Sequence, residues 1–119
     1  MCRLVKTLAQ DADAVEAAVE AARGEVRRRV WSLAGEHAPT AGISAASPLV
    51  IDVDATLVEA HWAKEGAAPT FKGGFGYHPL TAWFDHGSDG AGQCAAIMLR
   101  PGNAGANTAA DHIEVISRA

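Results

Sequence analysis

Two aspartates, Asp52 and Asp54, lie inside the most apolar run of the chain, Leu49-Val50-Ile51-Asp52-Val53-Asp54-Ala55-Thr56-Leu57-Val58. The alternation reads as a β-strand. Leu49, Ile51, Val53, Ala55 and Leu57 take one face, and Val50, Asp52, Asp54, Thr56 and Val58 take the other. Two carboxylates on one side of so apolar a strand are costly to bury unless they are paired or hold a cation. The spacing therefore points to chemistry, and two kinds fit it. In an Asp-x-Asp-x-Thr arrangement, Asp52 would attack a phosphate ester while Asp54 serves as general acid and base. Alternatively, a mid-strand carboxylate binds Mg²⁺ for two-metal phosphodiester cleavage, with the metals about 4 Å apart.

The residues C-terminal to the strand separate the two. A phosphatase of the Asp-x-Asp class needs a crossover helix, parallel strands, and a later Ser or Thr, a Lys and an acidic pair. Here a Gly- and aromatic-rich hairpin comes next instead, Phe71-Lys72-Gly73-Gly74-Phe75-Gly76-Tyr77, and no later acidic pair is present. The pattern favours a cation-binding carboxylate over a phosphatase and over a purely structural pair.

The elements that must position these residues are legible from periodicity. Val15, Val19, Ala22, Val26, Val30 and Leu33 recur at spacings of three and four, predicting one helix stripe. Asp13 can cap its start with Glu16 three residues on, and Gly35 fits its stop. Glu16, Glu20, Arg23 and Arg27 form the charged face opposite. The cluster Arg23, Arg27, Arg28 and Arg29, offset by Glu25, is either a solvated helix face or a phosphate-contacting one. Residues 36–48, with Pro39, Gly42, Ser44, Ser47 and Pro48, read as a loop. After the polar stretch Glu59 to Pro69, a second strand is predicted from Phe75 to Asp85, with Pro79 at its start or on an edge. His86 to Gly92 reads as a turn, and Cys94 to Leu99 as a third strand. Asn107 or Thr108 then caps a helix from Ala109 with Ile113 and Ile116 inside. Short links favour an antiparallel meander. The expected fold class is α/β: an N-terminal helix, a three-stranded antiparallel meander and a helix.

Bulk properties narrow the partners. The 119 residues suffice for one modest core, and 49% hydrophobic with 20% charged residues argues against wholesale disorder. Ala supplies much of the apolar fraction and there are only seven aromatics, so the core is expected to be thin. A net charge of −4 provides no general attraction to nucleic acid. Cys2 and Cys94 lack a CxxC spacing, the N-terminus has no signal-peptide pattern, and no apolar run reaches the roughly 20 residues of a span. A cytoplasmic protein with no membrane contact is the expectation.

Three stretches resemble the group-1 DDE transposases of bacterial insertion sequences: Pro48 to Val58, Lys64 to Leu80, and Leu99 to Ile113. A looser likeness runs through Trp31-Ser32-Leu33-Ala34-Gly35-Glu36-His37-Ala38-Pro39. The match spans about residues 24 to 113 and is clearest from Pro48. Three long motifs in order are far more specific than any one of them.

The resemblance implies a partial ribonuclease-H-like fold, with residues 1–47 a helical segment and linker and 48–119 the opening of the catalytic domain. It implies Mg²⁺-dependent cleavage and strand transfer at the DNA ends of a mobile element, and it leaves a homodimer open. The family's first catalytic acid, in an Asp-x-Thr context, maps onto Asp54-Ala55-Thr56, with Asp52 a same-face neighbour. Arg100, Asn103 and Asn107 fall in its post-strand loop, where they either contact the DNA backbone or close the loop by side-chain hydrogen bonds. The family also uses a later Asp and a Glu, which this sequence does not supply. Asp111 and Glu114 read instead as ordinary first-turn acidity of their helix. The expectation is a transposase fragment inactive alone, with a non-catalytic remnant and the phosphatase as alternatives.

The smaller candidates are bland. His61 and Glu65 could ligate a metal only if helical, and Gly73-Gly74-x-Gly76 lacks the Lys of a phosphate loop. Trp31, Trp62 and Trp83 are expected as core or partly buried anchors rather than base-stacking platforms.

Overall fold

The computed structural model describes residues 3–87 and 92–119. The chain forms two compact units, Met1–Ser44 and Ala45–Ala119.

In the first unit, helix α1 (Arg3–Leu8) passes through a 3₁₀ turn into α2 (Ala12–Ala34). Asp11, rather than the expected Asp13, is the N-cap: its carboxylate accepts the Ala14 N–H at 3.2 Å. Asp13 then sits in the first turn, where a negative charge suits the helix dipole. Gly35 stops the helix with a φ of 55° and donates its N–H to the Trp31 carbonyl. The apolar stripe has the predicted spacing but stays uncovered. Val19, Val26, Val30 and Leu33 are all at least half exposed, and no residue of α2 is buried.

The second unit holds β1 (Ile51–Ala55), β2 (Val58–Glu59), β3 (Ala68–Pro69), β4 (Phe75–Tyr77), β5 (Leu80–Phe84), β6 (Gln93–Met98) and α3 (Ala109–Arg118). One sheet has the order β1-β5-β6 and is antiparallel throughout, with Ile51 opposite Phe84 and Leu80 opposite Met98. This is the expected meander. A second small sheet, β2-β4-β3, adds to it and has no counterpart in the sequence-based expectation.

It arises because both predicted long strands break. The run 75–85 divides at His78 and Pro79, since Pro79 has no N–H to offer a ladder. The Pro79 carbonyl instead accepts the Thr56 N–H at 3.2 Å, and the His78 N–H reaches the Arg100 carbonyl at 3.0 Å. Run 49–58 breaks at the same level, between Ala55 and Val58. Within the polar stretch 59–69, Ala68 and Pro69 pair with Gly76 and Phe75. Close backbone approach fixes two glycines here: a Cβ on Gly76 would strike the Val58 carbonyl, and one on Gly102 the Ala68 carbonyl.

The core is thin, as its Ala content implied: Leu80, Ala82, Phe84, Ala95, Ala96 and Val115 are buried. Helix α3 packs on β5 and β6. Its inner residue is Val115, while Ile113 and Ile116 are 68% and 49% exposed, which corrects the predicted face. The helix is turned because Asp111, Val115 and Arg118 form the stripe that faces partners. Asp111 meets Arg100 at 2.8 Å, and Arg118 donates to the Ile97 carbonyl at 3.1 Å. Part of the predicted turn, residues 88–91, lies outside the described residues, as does Cys2.

Candidate functional site

Asp52 and Asp54 project from β1 and are both exposed. Directly across the ladder, Asp52 faces Trp83 and Asp54 faces Thr81. Alternation places all four on the face opposite the buried Leu80, Ala82 and Phe84. No hydrogen bond or ion pair reaches either carboxylate among the described residues. The burial cost anticipated from the sequence therefore does not arise, because this side of the sheet is open. Asp52 and Asp54 offer hard, anionic oxygens, the donor type that suits Mg²⁺.

Of the residues that frame the pair, the sequence singled out Trp83, as an anchor, but not Thr81. The Thr81 hydroxyl donates to the Asp54 carbonyl at 3.1 Å and accepts the Trp83 indole N–H at 2.9 Å. A β-bulge lies just beyond: Ala82 pairs with Ala96 but Trp83 with Cys94, leaving Ala95 as the extra residue. Gly92 lies beside the root of the Trp83 side chain, where an added Cβ would be 3.8 Å from Cβ and 3.9 Å from Cε3 of Trp83. The signal available in the sequence was positional only, since Thr81 and Trp83 occupy alternate positions of β5.

Arg100 faces inward. It is 5% exposed, donating from Nε to the His78 carbonyl at 2.9 Å, and from Nη1 to the Gly105 carbonyl at 2.9 Å and Asp111 at 2.8 Å. His78 closes the same loop, its Nδ1 donating to the Ala104 carbonyl at 2.9 Å. Of the two readings of Arg100, the structure displays loop closure. Asn103 and Asn107 are exposed on that loop. Asp111, expected only to complement the helix dipole, is the ion-pair partner of Arg100, and Glu114 lies 3.7 Å from Arg118. Neither joins Asp52 and Asp54. Among the described residues, no group of three or more His, Cys, Asp or Glu side chains is placed to hold a metal.

The remaining candidates resolve simply. Arg28 is ion-paired with Glu25 on an exposed part of α2, as the solvated-face reading has it. His61 and Glu65 lie in a loop rather than a helix. Trp31 is half-buried and Trp83, 39% exposed, is partly buried, within the expectation, whereas Trp62 is 74% exposed and is no anchor. The phosphatase reading required parallel neighbours, and the strand paired with β1 is antiparallel.

Searches of curated proteins and of solved structures gave no match. The family model described as transposase DDE domain group 1 matches residues 1–118, taking in α1 and α2 as well as the three motifs that carried the resemblance. The chain belongs to the transposase DDE domain group 1 family.

Proposed function

We propose that this chain supplies the first metal-binding carboxylate of a transposase that cuts and joins DNA at the ends of a mobile element. Asp54 is the ligand and Asp52 its same-face neighbour, with Mg²⁺ as the cation. The observation that carries this reading is the pair of exposed carboxylates on one face of β1, both without a partner among the described residues. The antiparallel meander with a helix packed on its other face is how a ribonuclease-H-like domain would open. When bound, the cation would supply Lewis-acid stabilisation of charge on the phosphodiester. The residues of the chain do the rest: Thr81 fixes the backbone of Asp54, and the loop closed by Arg100 presents Asn103 and Asn107 as DNA-backbone contacts.

Two carboxylates leave most coordination positions to water and phosphate, so binding by this pair is weak, and catalysis needs further donors. The chain by itself is therefore expected to show no Mg²⁺- or Mn²⁺-dependent nicking. Terbium luminescence tests the site, because Trp83 stands directly opposite Asp52 and can sensitise a bound lanthanide. In a Trp31→Phe, Trp62→Phe chain, terbium should light up, Mg²⁺ should compete, and Asp54→Asn should abolish the signal. Luminescence that persists in the Asp52→Asn, Asp54→Asn chain would refute the assignment.

A further inference from the structure

We propose that Trp83 is a stacking platform for an unpaired nucleobase, placed so that the DNA strand addressed by Asp52 and Asp54 is held with one base splayed onto the indole. The inference rests on the reading of those aspartates as cation ligands for DNA chemistry.

Position comes first. Trp83 and Asp52 are direct cross-strand partners, so their Cβ atoms lie about 5 Å apart on the same face. A nucleotide whose phosphate meets a cation at the carboxylates is thus within reach of the ring. Exposure comes second. Trp83 is 39% exposed although its neighbours on β5, Ala82 and Phe84, are 0% and 6% exposed. The strand is not frayed; it turns this one large aromatic outward.

Fixation is the third observation. The indole N–H is held by Thr81 at 2.9 Å, so the ring is tethered at its polar atom, which is already satisfied. A pre-positioned aromatic loses little freedom when a ligand stacks on it. The small residue at Gly92 leaves the ring uncrowded there. The chemistry of the surroundings then selects the ligand. Flanking aspartates repel bare phosphate, whereas a base offers an uncharged π-face and lets the cation meet the phosphate. Bases in a duplex show only their edges, so a face is available only once a base leaves the stack.

The test uses the Trp31→Phe, Trp62→Phe chain at low salt with excess Mg²⁺, following Trp83 fluorescence as short single-stranded DNA is added. The oligonucleotide should quench the indole, and an oligonucleotide of equal length carrying abasic sites should not. Measured by anisotropy of labelled DNA, Trp83→Leu should weaken binding about tenfold, while Trp83→Phe retains most of it. Both variants keep a large apolar side chain, and their melting curves are recorded to check that they fold. Equal binding of abasic and normal DNA, equal affinity of the Leu and Phe variants, or no detectable DNA binding would overturn the proposal. Competition of Mg²⁺ with directly excited terbium is read in parallel. Loss of cation binding with base discrimination kept sinks the carboxylate assignment alone. Cation binding without base discrimination sinks this one alone.

Discussion

Arg100 and Asp111 meet at 2.8 Å, with side chains 5% and 27% exposed, and this pair ties the loop after β6 to the first turn of α3. The guanidinium also holds the carbonyls of His78 and Gly105, so one side chain joins the β4–β5 break, the loop and the helix. Removing one partner leaves the other charge buried and uncompensated. Asp111→Ala is expected to cost about 3 kcal/mol in urea unfolding. Arg100→Met with Asp111→Leu should recover part of that loss, since no charge remains stranded. A cost below about 0.5 kcal/mol for Asp111→Ala would show that the pair contributes nothing to the fold.

Thr81 links the candidate ligand to the exposed aromatic. Thr81→Val keeps the shape of the side chain but removes both the bond to the Asp54 carbonyl and the acceptor for the Trp83 indole. A modest stability loss of about 1 kcal/mol is expected. The sharper readout is Trp83 itself: with its N–H released, its fluorescence anisotropy should fall in the Trp31→Phe, Trp62→Phe background. Unchanged anisotropy would mean that the indole is held by something other than Thr81.

How much of the molecule is legible in its sequence depends on the range of each interaction. The strand around Asp52 and Asp54, the meander and the stop at Gly35 follow from alternation, short links and a glycine in the left-handed region, all local properties. The break at Pro79 is half visible, because proline marks a weak point but does not reveal that Thr56 will bond to its carbonyl at the end of the β1–β5 pairing. The face of α3 is hidden for a similar reason. Periodicity offers Ile113 and Ile116, but a charged residue remote in sequence, Arg100, sets the rotation through Asp111. Arg100 itself looks like a solvent-facing cation in a loop, and only the tertiary fold shows three acceptors converging on it.

Glycines give opposite predictions according to their surroundings. Gly24 lies inside α2 with open space where a methyl would go, so Gly24→Ala should stabilise the helix by about 0.5–1 kcal/mol and raise its melting temperature by circular dichroism. Gly102→Ala places its methyl against the Ala68 and Gly76 carbonyls, neither of which can yield without disrupting the small sheet. It should destabilise by about 2 kcal/mol or more. Similar melting curves for the two variants would contradict that close approach.

Asp52 and Asp54 make the last prediction, which separates a ligand pair from a structural one. Side chains two residues apart on one strand face lie roughly 7 Å apart at Cβ, so the two like charges repel weakly across water. Neither has a partner among the described residues that its loss would strand. In the absence of metal, Asp52→Asn and Asp54→Asn should therefore change stability by no more than about 0.5 kcal/mol, or raise it slightly. Mg²⁺ reverses the order. A cation present at a hundred times its Kd stabilises the folded chain by about 2.7 kcal/mol, so the melting temperature of the unmodified chain should climb with Mg²⁺. Asp54→Asn should flatten that climb more than Asp52→Asn if Asp54 is the ligand. A structural pair would show the contrary pattern: a large loss on substitution without metal, and no response to Mg²⁺ in any of the three chains.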